Sequence, residues 1–147
     1  MTTNIQRSAL VPYPALAMYE LVNDIEAYPQ FMDGCVGATV LSRSNDVIEA
    51  RLDLAKGGLR YSFTTRNRLM PPERIELTLV EGPFETFQGA WTFHALNEQA
   101  CKIGLHLQFE MSGRLLNFAA RKMFDGVANQ MVDALVKRAH KLHSIIP

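Results

Sequence analysis

The sequence has few cysteines, no net charge and no long apolar run, and each shortage excludes a class of protein. Two cysteines, Cys35 and Cys101, are too few for a disulfide-stapled domain, and whether they pair with each other is open at this point. Fifteen basic and fifteen acidic side chains cancel, so the total does not support a strongly basic nucleic-acid binder. The chain has no run of about 18 apolar residues and no signal-peptide core at its start. We therefore expect a cytoplasmic protein, with peripheral contact at the cytoplasmic membrane left open.

The chain of 147 residues is 48% hydrophobic, which suits one folded domain over residues 1–147. A domain of this size buries about 70% of the surface of its unfolded chain, and such a composition excludes intrinsic disorder. The charge is unevenly spread, because residues 1–50 carry a net −4 and residues 111–147 a net +4. This dipole could orient the molecule at an anionic surface, although an ordinary solvated helix face explains it as well.

Most of the chain alternates apolar and polar side chains with a period of two, which is the pattern of strands buried on one face. Turn residues such as Lys56-Gly57-Gly58 separate the segments. The regular spacing of the segments predicts an antiparallel meander. The predicted strands are Thr3–Val11, Val36–Arg43, Val47–Ala55, Leu59–Leu69, Ile75–Leu79, Phe87–Ala95 and Cys101–Met111.

Helical spacing occurs after the first strand and at the end of the chain. Ala15–Val22 and Asp24–Phe31 are predicted as short helices, with a break at Tyr28-Pro29 because a residue before proline avoids the helical region. Over residues 114–144, apolar side chains recur at three- and four-residue steps, which predicts one helix about 45 Å long. We therefore predict an α+β helix-grip fold, in which a curved antiparallel sheet of about seven strands wraps the C-terminal helix. Such a sheet can leave a cavity beneath the helix.

No catalytic or metal-binding arrangement stands out. His94 and His106 lie on neighbouring predicted strands but not opposite each other. His140 and His143 lie near the end of the predicted helix, and two ligands alone do not make a zinc site. The carboxylates are not brought together as acid–base chemistry requires. We predict a protein that is not an enzyme, with no catalytic residue and no metal. The candidates considered were His94, His106, His140, His143, Asp53, Glu76, Glu110 and Asp125.

Aromatic and methionine side chains are concentrated on the predicted inner face of the sheet and on the long helix. Such side chains make adaptable walls for a hydrophobic ligand, and a filled core is the alternative. Gly89, in the middle of a strand, predicts a bend or a close approach of two backbones. The side chains on this face are Tyr61, Phe63, Trp91, Phe93, Phe109, Phe118, Met123, Phe124 and Met131.

Four stretches along nearly the whole chain resemble one family. They are Val22–Phe31 (VNDIEAYPQF), Phe63–Asn67 (FTTRN), Glu81–Phe84 (EGPF) followed by Trp91–Phe93, and Val127–Val132 (VANQMV) followed by Arg138-Ala139. In this order they are similar to the START-like coenzyme Q-binding family of the SRPBCC, or polyketide cyclase-like, superfamily. Its bacterial branch, which FTTRN resembles more closely, includes the ribosome association toxin. Family members often have Leu-Pro-Trp-Cys where this chain has Met32-Asp33-Gly34-Cys35, so one wall aromatic is missing.

The resemblance implies a helix-grip fold whose cavity takes ubiquinone or another polyprenyl lipid, in support of respiratory electron transport, with no tightly required cofactor. By position, Tyr28, Pro29 and Phe31 would form a mobile lip, and Met123, Val127 and Met131 a lid. The candidate cavity residues are Tyr28, Phe31, Tyr61, Phe63, Phe84, Trp91, Phe93, Phe109, Met123, Val127 and Met131.

The alternative function that the resemblance implies is inhibition of translation, through binding to the large ribosomal subunit and blocking of subunit association. RNA is held mainly through its phosphates, so basic side chains are the candidate contacts. These are Arg60, Arg66, Arg68, Arg121, Lys122, Lys137, Arg138 and Lys141. A third class is an enzyme, since polyketide cyclases share the superfamily, but the inward-facing set contains no pair suited to proton transfer.

Overall fold

An antiparallel sheet folds around one long helix. The computed structural model describes residues 2–113 and 118–143. In these ranges the strands are β1 (Thr3–Val11), β2 (Cys35–Arg43), β3 (Val47–Lys56), β4 (Leu59–Met70), β5 (Arg74–Glu81), β6 (Phe84–Asn97) and β7 (Ala100–Met111). Their order in the sheet is β1-β7-β6-β5-β4-β3-β2, so β2 to β7 form a meander and β1 pairs with β7. The predicted helix-grip fold with about seven strands is confirmed.

The strands form where the alternating pattern predicts them, and most bounds agree within one or two residues. The turn between β3 and β4 uses Gly57 and Gly58, whose φ angles of 60° and 83° lie in the region that glycine adopts most easily. The largest difference is at β6, which begins at Phe84 instead of Phe87. There the Pro83 carbonyl accepts a hydrogen bond from the backbone N–H of Ser112 at 3.0 Å, which extends the ladder.

Two short helical segments follow β1. Helix α1 (Ala15–Asn23) buries Met18 and Val22, whereas Leu16 is exposed. The second segment is a 3-10 helix, Ile25–Gln30. The predicted break at Tyr28-Pro29 is wrong, because the Tyr28 carbonyl still accepts bonds from the two residues that follow Gln30.

The long helix α2 (Phe118–His143) covers the concave face of the sheet. Its 26 residues span about 39 Å. One stripe of the helix is buried, and it includes Ala120, Val127 and Leu135. Residues 114–117 and 144, which the sequence assigned to the same helix, lie outside the described residues. Among the described helices, none combines the length and apolar character that a membrane span requires.

Gly89 lets two strands meet closely at the centre of the sheet. A Cβ placed on Gly89 would lie 2.6 Å from the carbonyl oxygen of His106 and 2.4 Å from Cδ2 of Leu107. The predicted close approach at Gly89 is therefore confirmed. Because no side chain occupies this point on β6, Leu107 of β7 fills the space on the inner face.

Candidate functional site

A cavity lies between the concave face of the sheet and α2. The volume of this cavity is about 70 Å³. Its walls are mostly aliphatic and aromatic side chains, and none of the described lining residues carries a charge. The lining is formed by Val22, Asn23, Ile25, Tyr28, Met32, Ala50, Leu52, Leu54, Phe63, Thr65, Asn67, Ile75, Leu77, Phe84, Phe87, Trp91, Leu105, Leu107, Phe109, Phe124, Val127, Ala128 and Met131.

A cluster of phenylalanines forms one end of the cavity, with Phe84 at its centre. The ring centroid of Phe84 lies 5.0 Å from that of Phe124 and 5.1 Å from that of Phe87. Phe63 and Phe109 complete the cluster, at 5.6 Å and 5.5 Å from Phe84. Phe84 is the first residue of β6, directly after Gly82-Pro83, and its side chain lines the cavity. The rings meet mostly edge to face, the geometry that aromatic pairs favour.

Three polar side chains interrupt this apolar wall. Thr65 and Asn67 lie on the inner face of β4 and are both buried. The Thr65 hydroxyl donates a hydrogen bond of 2.7 Å to Oδ1 of Asn67. Asn23, the last residue of α1, contributes a buried Oδ1 with no partner among the described residues. The amide and hydroxyl groups therefore give the cavity a limited capacity for hydrogen bonding.

Sequence reasoning missed Asn23 and Asn67 as cavity residues. A signal for Asn67 was present, because it alternates in phase with Phe63 and Thr65 on the predicted inner face of the strand. A polar side chain in an inward position is uncommon and marks either a satisfied hydrogen bond or a binding group. No comparable signal marked Asn23, which lies where α1 ends.

Tyr28 lines the cavity from the 3-10 helix. Its hydroxyl donates a hydrogen bond to the Val22 carbonyl. Burial, followed by the effects of nearby Cys35 and Asp24, raises the pKa of Tyr28 well above its usual range. The phenol is therefore neutral and already engaged as a donor, so it supports the wall and is a poor proton acceptor.

Of the predicted cavity residues, seven line the cavity. They are Tyr28, Phe63, Phe84, Trp91, Phe109, Val127 and Met131. The aliphatic side chains of β3 and β5, such as Leu52 and Leu77, complete the wall, although sequence reasoning concentrated on aromatic residues.

Four predicted cavity residues lie outside the lining: Phe31, Tyr61, Phe93 and Met123. Phe93 packs against Tyr19 of α1, with ring centroids 5.6 Å apart, so this end of the sheet is filled. The Phe31 ring is covered by the Arg138 guanidinium, 5.2 Å from the ring centroid. Tyr61 packs against Phe124 near the start of β4, and Met123 is buried on α2 without lining the cavity.

The three candidate arginines of β4 lie on the convex face of the sheet, where two of them are paired with carboxylates. Arg66 Nη2 lies 2.8 Å from Glu49 Oε1 on β3, and Arg68 Nη1 lies 3.8 Å from Glu76 Oε1 on β5. Arg60, near the turn at the start of β4, is exposed. The ion pairs reduce the positive charge that this face presents.

The helix cations lie on the other side of the molecule. They are Arg121, Lys122, Lys137, Arg138 and Lys141. The acidic side chains of α2 are Asp125 and Asp133, so the helix has a net charge of +3. The three lysines are exposed, and among the described residues none of them forms an ion pair. Arg138 is half-buried and donates a bond of 3.1 Å to Gln30 Oε1. The sheet and helix cations therefore cannot form one continuous patch.

The remaining ionisable candidates are scattered. Across β6 and β7, His106 pairs with Ala90 and His94 with Lys102, so the two histidines are not opposite each other, as predicted. His140 Nδ1 lies 2.6 Å from the Tyr13 hydroxyl. Within the described ranges, no three His, Cys, Asp or Glu side chains are grouped to hold a metal ion.

Cys35 and Cys101 are free, buried thiols, and burial raises the pKa of each.

Comparisons with known proteins place the chain among START-like proteins. Residues 11–136 match the family described as polyketide cyclase / dehydrase and lipid transport. The chain is 48% identical to the ribosome association toxin RatA of Pseudomonas aeruginosa, over 97% of this chain and 99% of that protein. It is 24% identical to the mitochondrial coenzyme Q-binding protein COQ10 of Drosophila melanogaster, over 92% of this chain and 57% of that protein. The structure of the Zhui aromatase/cyclase from Streptomyces sp. R1128 superimposes with a TM-score of 0.80 at 20% identity, over 96% and 95% of the two chains.

Proposed function

The chain belongs to the polyketide cyclase / dehydrase and lipid transport family, and within this family we propose that it binds the large ribosomal subunit and thereby inhibits translation. The observation that carries the proposal is the 48% identity, over nearly the full length of both chains, to a protein named ribosome association toxin. The relative at 24% identity that is named for coenzyme Q binding is much more distant. The sequence resemblance led us to expect lipid binding first, with ribosome binding as the alternative, and the proposal reverses this order.

The exposed face of α2 is the surface we propose for ribosome contact. Lys122, Lys137 and Lys141 present their ammonium groups to solvent on a helix with net +3. On the sheet, by contrast, Arg66 and Arg68 are paired with carboxylates. Contact with rRNA phosphates releases counterions, so unpaired cations contribute most to affinity.

The experiment compares two triple variants that change the net charge equally. One variant replaces Lys122, Lys137 and Lys141 by Gln on the helix, and the other replaces Arg60, Arg66 and Arg68 by Gln on the sheet. Gln has nearly the helix propensity of Lys, so α2 is preserved. Binding to purified large subunits is measured at several salt concentrations, with joining to small subunits as the functional readout.

We expect the helix variant to lose inhibition of subunit joining. Its log affinity should depend less steeply on log salt concentration, with a slope smaller by about 2 to 3 for three lost phosphate contacts. The sheet variant should stay close to wild type. Loss of binding in the sheet variant alone would assign the ribosome contact to the sheet arginines. Absence of binding by the wild-type protein would refute the proposed binding to the large ribosomal subunit.

Binding of a neutral lipid, such as a polyprenyl quinone, is a second candidate function. The apolar cavity supports it, since its lining has no charge and contains flexible Met32 and Met131. This surface is separate from the helix cations, so both functions are compatible with one molecule. The test is to purify the protein from a quinone-containing bacterium and identify any bound lipid by mass spectrometry. A stoichiometric lipid is the expected result, and folded protein with no lipid would contradict it.

We propose that neither function involves catalysis. The described cavity lining holds one ionisable side chain, Tyr28, whose hydroxyl is engaged with the Val22 carbonyl. A reaction of the cyclase type needs a positioned acid or base next to the substrate. The likeness to an aromatase/cyclase concerns the fold, since the identity is 20%.

A further inference from the structure

We propose that the cavity selects a neutral amphiphile and that the side-chain amide of Asn67 holds the oxygen atom of its head group. The inference rests on the second candidate function, lipid binding in the cavity, and adds the chemistry of the ligand. Asn67 supplies the donor and Asn23 supplies an acceptor. Ligands with a phenol, alcohol or quinone head group fit this pair of groups, whereas pure hydrocarbons and anions do not.

Asn67 lies where an apolar side chain would be expected. Its register partners are Ile48 on β3 and Leu77 on β5, both of which point to the same apolar interior. The Asn67 side chain is 7% exposed. A buried amide at the centre of an apolar sheet face is costly unless its polar atoms find partners. Its position therefore requires a reason beyond packing.

The hydrogen bonds within the protein satisfy only part of Asn67. The amide offers two N–H donors and a carbonyl oxygen. Oδ1 accepts the Thr65 hydroxyl at 2.7 Å. Asn67 lines the cavity, and no hydrogen bond from its Nδ2 to an acceptor is found among the described residues. The bond from Thr65 fixes the amide so that its N–H groups are available to an oxygen atom in the cavity.

Asn23 provides the complementary group from α1. Its Oδ1 is buried, lines the same cavity and has no donor among the described residues. A hydroxyl head group can donate to this oxygen and accept from Asn67, whereas a quinone carbonyl uses Asn67 alone. A donor and an acceptor without partners in one apolar cavity indicate a ligand that carries a polar group.

The ligand must be uncharged, because the described lining has no charged side chain of either sign. A carboxylate or phosphate brought into this space would lose its hydration without gaining an ion pair. The volume of about 70 Å³ is roughly half of the 150 Å³ of an apolar cavity that binds benzene. A ring therefore enters only when lining side chains move, and unbranched Met32 and Met131 can move most easily.

Three probes with the same tail separate head-group recognition from simple apolar binding. They are para-hexylphenol, hexylbenzene and para-hexylbenzoate, which carry a hydroxyl, no polar group and a carboxylate. Trp91, the single tryptophan of the chain, lines the cavity and reports binding by its fluorescence. We expect the phenol to bind about 10-fold more tightly than hexylbenzene, and the benzoate to bind most weakly at neutral pH.

Two variants and one control assign this preference to the amides. Asn67→Leu and Asn23→Leu each replace one amide by an apolar side chain with the same number of heavy atoms and the same branching, and each should bring the affinity ratio of phenol to hexylbenzene towards one. Gln88→Leu removes an amide from the outer face of β6, where it bonds Gln108 at 3.1 Å, and should leave the ratio unchanged. Should Asn67→Leu fail to fold, Asn23→Leu provides the same test.

The outcomes distinguish the inference from the function on which it rests. Binding of phenol and hexylbenzene with equal affinity to the wild-type protein would overturn head-group recognition and leave lipid binding standing. A ten-fold preference that persists in both amide variants would also overturn the assignment to Asn67 and Asn23. Failure of all three probes to bind would refute lipid binding and the inference together.

Discussion

Filling the cavity with a larger side chain tests whether the space under α2 is empty. Ala128 lines the cavity, and Ala139 is fully buried on the same helix outside the lining. Replacement of either by Leu adds three carbon atoms. At Ala128 these atoms enter the cavity and bury apolar surface at about 0.8 kcal/mol per carbon, so the gain is at most about 2 kcal/mol. At Ala139 the same atoms meet packed neighbours, and overpacking costs about 1–3 kcal/mol.

The two variants are compared by urea denaturation, followed by circular dichroism and by Trp91 fluorescence. A two-state transition gives the free energy of unfolding for each. We expect Ala128→Leu to be as stable as the wild type or more stable, and Ala139→Leu to be less stable. Both changes alter helix propensity equally, so this contribution cancels from the comparison. Equal destabilisation by the two variants would refute the existence of usable space at Ala128.

Two further predictions concern stability. Phe84→Ala should lower the free energy of unfolding by about 3–5 kcal/mol, because Phe84 is at the centre of the phenylalanine cluster. Urea denaturation measures this loss, with Phe84→Leu as the control variant. A loss below about 1 kcal/mol, which is roughly that of a surface site, would contradict the packing. Burial raises the pKa of Asp125, and nearby Arg121 opposes this in part. The folded state then holds the proton more tightly than the unfolded chain, so this contribution to stability is present at low pH and is lost as the pH rises above about 4. Asp125→Asn should therefore gain stability relative to wild type between low and neutral pH, and an unchanged difference across that range would contradict the assignment.

The fold was predictable because alternation marks each strand locally and turn residues, such as Lys56-Gly57-Gly58, separate the strands. The long β4, for example, alternates Phe63, Thr65 and Asn67 inward with Arg66 and Arg68 outward. A curved sheet with one apolar face needs a cover, and the long helix at the chain end provides it. The break expected at Tyr28-Pro29 does not occur, because the preference of a residue before proline is local and the 3-10 helix Ile25–Gln30 continues through Pro29.

The cavity was predictable only in part, since its walls depend on how α1 and α2 sit over the sheet. Phe93 and Trp91 lie on the same inner face, yet α1 fills the space beside Phe93 and leaves the space beside Trp91 open. Arg66 lies opposite Glu49 because the two-residue Gly57-Gly58 turn sets the register of β3 against β4. This register could have been followed from the turn to the ion pair, but the charge count did not use it. Charge counting alone therefore did not reveal that Arg66 and Arg68 are paired with carboxylates.

Binding of the protein to isolated ribosomal subunits tests the central claim most directly. Purified large and small subunits are sedimented separately with the wild-type protein at low and at physiological salt concentration. The account predicts co-sedimentation with the large subunit, weaker at higher salt, and a loss of joined ribosomes when both subunits are mixed with the protein. Protein that stays unbound to the large subunit at low salt, while circular dichroism shows that it is folded, would contradict the account.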